Sequence, residues 1–163
     1  MDYEQVDQID LKIMEVLQRD ARITNQALAD RVALSPRACL RRVRDLEGRG
    51  LISAYRAQIS VERIRSVTVV MAHISFTHHA MDNFRDFDAC IDAIPEVMES
   101  YRVSGSVDYI LRVVVHDMQD WKKIMGLLIN GGFGVEKIVS HFLIDQVKLF
   151  KGYKLLQKAG SST

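Results

Sequence analysis

ALADRVALSPRACLRRVRDLEGRGLISAY, residues Ala27 to Tyr55, decides how the chain is read. It holds a short helical segment, a tight turn, a second helix opening at Ser35-Pro36, then a glycine and a strand-like run. Ser35 can accept from the free amides of the first helical turn, and Pro36 suits the first helical position, so the start of the second helix is sharply defined. Helical positions advance about 100° per residue, so Arg37, Arg41 and Arg44 fall within roughly 60° of one another. Cys39, Val43 and Leu46 cluster on nearly the opposite side. One side is suited to packing and the other to negative charge. A helix laid in a DNA groove and anchored to a small helical core has this design.

Outward from that stretch the pattern stays helical. Asn25 to Val32 forms a helix with Leu28 and Val32 on one side and small Ala29 where a second helix can approach; Thr24 or Asn25 can cap it. Val6 to Arg19 repeats Ile9, Ile13, Leu17 and Met14 with helical spacing. Gly48 and Gly50 end the third helix, and Leu51 to Ile59 reads as a strand forming a wing. Residues 1–52 are therefore expected to be a winged helix-turn-helix DNA-binding domain, with the wing strand and linker over 53–66.

Charge supports the same reading. From Pro36 to Arg56 there are six arginines against Asp45 and Glu47, a net +4 inside a chain whose total is +1. Phosphate contact needs this local excess rather than a high overall charge. Arg37, Arg41 and Arg44 are expected to enter the major groove, with Ser35 at the helix start and Ala38 and Leu40 flanking. Arg49 and Arg56 are expected on phosphates. Arg42 lies nearer the packing side and should meet phosphate or acidic neighbours rather than bases.

Beyond Val67 the pattern changes to strand-helix-strand-strand-helix-strand, the ferredoxin-like βαββαβ order, expected over 67–154. The elements are Val67 to Phe76, Met81 to Ile94 (stopped by Pro95), Val97 to Val103, Tyr109 to Val115, Asp117 to Ile129 and Glu136 to Val147. Residues 155–163 read as a disordered tail, and the chain as a whole as α+β. Two helices on one side of a four-stranded sheet leave the other side bare. Yet Ile110-Leu111, Val113-Val114-Val115 and much of Val67 to Ala72 are apolar on both sides. A second copy of the same module is the simplest cover, so a homodimer is expected, and it would present two recognition helices to a two-fold DNA site.

Other classes are disfavoured. Cys39 and Cys90 form no CxxC, so neither a disulfide framework nor a zinc site is implied. His78-His79 lacks a suitably spaced third ligand, so no metal is expected. Gly131-Gly132-Phe133-Gly134 precedes a strand and lacks the lysine of a phosphate loop. No nucleophile and base are grouped, so no enzyme is expected, nor any cofactor beyond a possible effector. The acidic N-terminus and the lack of a membrane-length apolar run point to a cytoplasmic protein without membrane association.

The run IDLKIMEVLQRDARITNQALADRVALSPRACLRRVRDLEGRGLI resembles the DNA-binding half of the leucine-responsive regulatory protein/AsnC ("feast/famine") regulators. The later VSGSVDYILRVVVHDM resembles their C-terminal amino-acid-metabolism domain. The SPxxCxxRVxxLExxGLI pattern, from Ser35 to Ile52, is the most specific part. This resemblance implies transcription control, dimers that assemble further into tetramers or octamers, and an amino-acid effector. By position it implies effector roles for the hairpin residues Gly105, Ser106 and Asp108, and for Met118, Ser140, His141 and Phe142. Two departures stand out: Ala33 occupies the turn where the family has glycine, and Ser106 replaces the first acidic residue of the family's GDxDY or GExDY hairpin. An architectural, DNA-wrapping protein with little sequence preference and no effector is the alternative; an enzyme built on a ferredoxin-like domain is a distant third.

Overall fold

The computed structural model describes residues 5–77 and 81–156. The chain divides into two units, one made of residues up to Gln58 together with those from Lys148 onward, the other of Ile59–Val147.

The first unit is built on α1 (Gln8–Arg19), α2 (Asn25–Val32) and α3 (Pro36–Gly48). Each helix start is capped by a side chain: Asp7 accepts from the amides of Ile9 and Asp10, Thr24 from Ala27 and Ser35 from Ala38. These bonds satisfy amides that a helix end otherwise leaves unpaired. Ile13, Leu28, Ala29, Val32, Cys39 and Leu46 form the core, with Leu17, Leu34, Val43 and Leu51 packed around it.

The helices α2 and α3 end in the same way. After α2, Ala33 takes the left-handed conformation (φ 57°, ψ 48°), its amide donating to the Asp30 carbonyl and that of Leu34 to Ala29. After α3, Gly50 (φ 72°) donates to Glu47 and Leu51 to Leu46. This paired bonding is the Schellman motif, which closes the last carbonyls and turns the following apolar residue back onto the core. Gly50 therefore ends the helix, whereas Gly48 is its last regular residue. Leu34 and Leu51 are the returning apolar residues.

No wing strand forms over 53–60 among the described residues. That segment has no strand beside it in its own unit, and an extended chain needs a partner for its amides and carbonyls. A 3-10 turn, Val61–Arg63, follows.

The second unit runs β1 (Thr68–Phe76), α4 (Met81–Asp92), β2 (Val97–Arg102), β3 (Tyr109–Val115), α5 (Met118–Asn130) and β4 (Val135–Phe142). The antiparallel sheet has the order β2-β3-β1-β4. β1 alternates strictly, with Val70, Ala72, Ile74 and Phe76 buried under the helices. Phe87, Tyr109, Leu111, Trp121 and Leu128 complete that core. On the opposite side of the sheet lie Val69, Met71 and His73 of β1 with Ile110, Arg112 and Val114 of β3, all half-buried. The expected last strand stops short, at Phe142 rather than Val147. β1 begins at Thr68, and once the Leu143 amide has donated to the Val69 carbonyl no ladder partner is left.

Ala33 is the one non-glycine residue with positive φ among the described residues. An L-residue there carries a steric cost of about 1–2 kcal/mol, partly offset because glycine loses more freedom on folding. Ala33→Gly should therefore stabilise the first unit by about 0.5–1 kcal/mol, raising its midpoint of thermal unfolding by a few degrees in calorimetry. A lower midpoint would show that the turn gains something from the methyl group.

Candidate functional site

The six arginines of the recognition region separate into two classes. Arg42 donates to Asp7 Oδ2 at 2.6 Å and to Asp10 Oδ1 at 2.7 Å. Asp7 is also the N-cap of α1, and the Asp10 carboxylate returns a bond to the Asp7 amide. One guanidinium thus joins the middle of α3 to the first turn of α1. Arg49 donates to Asp45 at 3.1 Å and to the Gln5 carbonyl at 2.7 Å. The structure therefore gives Arg42 to acidic neighbours and Arg49 to Asp45 and the Gln5 carbonyl, where the sequence had suggested phosphate for Arg49. Arginine's fork of donors explains both: a carboxylate within reach in the fold wins over solvent.

Arg37, Arg41, Arg44 and Arg56 are exposed and form no hydrogen bond or ion pair among the described residues. The first three lie on α3 opposite buried Cys39 and Leu46. With Ser35, Ala38 and Leu40 they line an open depression of about 490 Å³. The Cys39 thiol, pushed up by burial, is a packing group. Asn25 Nδ2 adds a bond to the Pro36 carbonyl at 2.8 Å, holding the start of α3 to the start of α2.

Charge is divided unequally between the units. The first unit carries fourteen Lys and Arg against nine Asp and Glu, and the second eight against twelve. A polyanion is thus drawn to one unit of a chain whose total is only +1.

In the second unit the hairpin between β2 and β3 is held rigidly. The Asp108 amide donates to the Ile74 carbonyl at 2.8 Å, and the Asp108 carboxylate accepts the Phe76 amide at 2.9 Å. Tyr109 is a core residue: its hydroxyl donates to Asp88 at 2.7 Å and accepts from Arg102 at 2.8 Å. Burial first, and then Asp88, push this phenol up to about 12. Arg102 in turn stacks over the Phe84 and Tyr109 rings. Gly105 (φ 124°) and Ser106 stand exposed at the tip, with nothing close to where a Gly105 side chain would project.

The seven expected effector residues do not meet within one chain. The hairpin precedes the Tyr109 end of β3, while Met118 follows its Val115 end. β3 is seven residues long, so those ends are about 20 Å apart. Phe142 pairs with Val70, toward the Met118 end, while Ser140 pairs with Ala72, level with Leu111 and nearer the hairpin end. Ser140 accepts from the Trp121 indole at 3.1 Å, on the helix side of the sheet. His141 lies on the other side, its ring 4.9 Å from that of His73. Met118 and Phe142 are each 44 % exposed, more than plain core packing leaves. The His78-His79 pair falls outside the described residues, and among the described residues no group of three metal-ligating side chains comes together.

Comparison with known proteins finds two family models, the second of which extends five residues past Val147. Residues 6–53 match the family model for winged helix-turn-helix DNA-binding, and residues 69–152 that for the Lrp/AsnC ligand binding domain. The leucine-responsive regulatory protein of Haemophilus influenzae is 36% identical over 143 residues, 88% of this chain and 86% of that protein. That of Escherichia coli K12 is 35% identical, over 88% of this chain and 87% of its own. A Neisseria meningitidis transcriptional regulator solved as an L-Met complex is 32% identical, with TM-score 0.81 over 94% of this chain and 97% of that one. An AsnC family transcriptional regulator from Agrobacterium tumefaciens is 31% identical, with TM-score 0.83 over 92% and 97%.

The amide of Asp10, and then Arg42, hold the Asp7 carboxyl below the usual carboxylate range. A depressed folded value means that this contribution is present above the ordinary carboxylate pKa and is lost as pH falls through the lowered one. Arg42→Ala leaves Asp10, only 10 % exposed, without its partner. It should cost about 2 kcal/mol in urea unfolding at neutral pH, whereas Arg41→Ala should change stability by less than about 0.5 kcal/mol. Equal effects of the two would contradict the separation of the arginines.

Proposed function

The chain belongs to the Lrp/AsnC family of transcription regulators, and from that premise we propose that it binds specific DNA through Arg37, Arg41 and Arg44 and is modulated by an amino acid. The DNA reading rests on one observation above the others: α3 keeps three arginines exposed and unengaged on one side while Arg42, on another, is taken up by the fold. Bidentate arginine–guanine pairs, worth about 1–3 kcal/mol each in discrimination, are the chemistry this side offers. Ser35 and Ala38 allow close approach at the helix start, and Arg56 adds a phosphate contact.

The effector reading draws on the second unit. A free amino acid needs amide donors for its carboxylate and acceptors for its ammonium. The exposed, glycine-containing hairpin tip offers amides, and the Asp108 carboxylate braces the strand end behind it. The solved Neisseria meningitidis relative is an L-Met complex, which supports the same ligand class. Because the hairpin and Met118 lie at opposite ends of β3, a pocket using both takes its walls from two chains. The half-buried apolar side of the sheet supports a homodimer, and such a pocket supports assembly beyond it. Ligand and DNA would then be linked through assembly, each altering the affinity for the other by the same factor. A cytoplasmic location and no enzymatic activity complete the reading.

Arg41→Ala should lower affinity for a selected duplex by about ten- to a hundredfold, the value of one good base pair contact, while binding to random duplex falls much less. Equal loss on both would reduce Arg41 to a phosphate contact. A footprint of discrete half-sites supports the regulator, and length-dependent, sequence-blind protection the architectural alternative that the Ser106 departure favours. In a thermal-shift screen of the twenty amino acids, one or two selective hits are expected; ligand at a hundredfold excess over Kd stabilises the folded state by about 2.7 kcal/mol. A uniform lack of response, with sedimentation of the same samples showing only monomer, would overturn the effector and assembly readings together.

A further inference from the structure

Residues 148–156 do not continue the sheet that precedes them; they return to the DNA-binding unit and lie along α1. Gln18 grips Tyr153 twice, its side-chain amide donating to the Tyr153 carbonyl at 3.2 Å and accepting the Tyr153 amide at 2.5 Å. Glu15 Oε1 accepts the amides of both Leu155 and Leu156 at 3.1 Å. Two side chains thus take the place of a strand, supplying four bonds to main chain that has no ladder. Counting about 100° per residue from buried Ile13, Glu15 and Gln18 sit about 200° and 140° around the helix, on the side away from the core. Gly152 (φ 97°) passes so close that a side chain there would meet Gln18 Oε1 at 2.8 Å and its Cβ at 3.0 Å. Glycine is needed both for the backbone angle and for the approach.

The connection on the other side of this strap is short. The last sheet bond of β4 is made by Leu143, and only Ile144 to Val147 separate it from the strap. Four residues reach at most about 14 Å when fully extended, so the end of β4 and the strap cannot move far independently. The DNA-binding unit is therefore held by the chain at both of its ends, at residues 58–59 and 147–148.

We propose that residues 148–156 are a regulatory strap: a second tether, clamped on α1 by Gln18 and Glu15, that carries changes at the Ser140–Phe142 end of β4 to the DNA-binding unit. The coupling rests on the reading that this end of β4 responds to an amino acid; the clamp does not. Gln18 and Glu15 are positioning residues that hold the strap.

The test uses the full chain, the double variant Glu15→Ala/Gln18→Ala, and Glu15→Gln, which keeps an acceptor for the two leucine amides. Hydrogen exchange of the Tyr153, Leu155 and Leu156 amides should be at least tenfold slower in the wild-type chain than in the double variant. Glu15→Gln should restore protection at Leu155 and Leu156. Well below the unfolding temperature, affinity for a duplex selected by the wild-type protein is then measured with and without each of the twenty amino acids. The double variant should keep its ligand-free affinity within about threefold, while the fold-change produced by the active amino acid shrinks toward one and that ligand's thermal shift persists. Unprotected amides in the wild-type chain, or an undiminished response in the double variant, would overturn the strap. If no amino acid alters DNA binding by the wild-type chain, the effector reading falls and the coupling with it; protected amides would separate that result from loss of the clamp.

Discussion

Arg42 holds α3 against the first turn of α1 through two carboxylates, Asp7 and Asp10, and the orientation of the recognition helix depends on it. The apolar core alone, with Cys39 and Leu46 on the inner side of α3, leaves some freedom for the helix to roll. A guanidinium bonded to two fixed oxygens restricts that roll, because its donors lie in a plane. Asp7 is itself fixed by capping α1, so the bond reaches from the start of one helix to the middle of another. With the inner side pinned in this way, Arg37, Arg41 and Arg44 are left facing outward. Charged residues so placed add nothing to packing, which is consistent with a role in meeting an external polyanion.

The turn between α2 and α3 is the complementary constraint. Its Schellman bonding returns Leu34 to the core and releases the chain into Ser35, which at once caps α3. The left-handed step is taken by Ala33 at a steric cost and by Gly50, at the end of α3, at none. That the costlier residue is tolerated at the tighter turn reflects how much surrounds it. Two backbone bonds, the Leu34 anchor and the Asn25–Pro36 bond all favour the same geometry.

In the ligand-binding unit the rigid parts and the exposed parts alternate along the sequence. Asp108 and Tyr109 are fixed by the Phe76 amide, Asp88 and Arg102, while Gly105 and Ser106, a few residues away, stand in solvent. The exposed tip therefore stands on a rigid base. Ser106 changes what that tip can offer: a hydroxyl that both donates and accepts replaces a fixed negative charge. The charge left in the hairpin is that of Asp108, already bonded to the β1 backbone.

The sequence by itself determined the elements and their order, because those depend on local rules. Helical spacing and the caps at Thr24 and Ser35 are properties of a few neighbouring residues, and α2 and β3 fall where the pattern places them. It also identified all six residues lining the depression on α3, since one helix face is readable from spacing alone. Only the tertiary structure decided which arginines remain available, because Arg42 meets carboxylates more than thirty positions away and Arg49 a carbonyl forty-four positions away. The missing wing, the early end of β4 and the return of residues 148–156 to α1 have the same cause. Each depends on whether a distant partner lies alongside, and the partners of the strap, Glu15 and Gln18, sit on an outward helix side where no local pattern marks them.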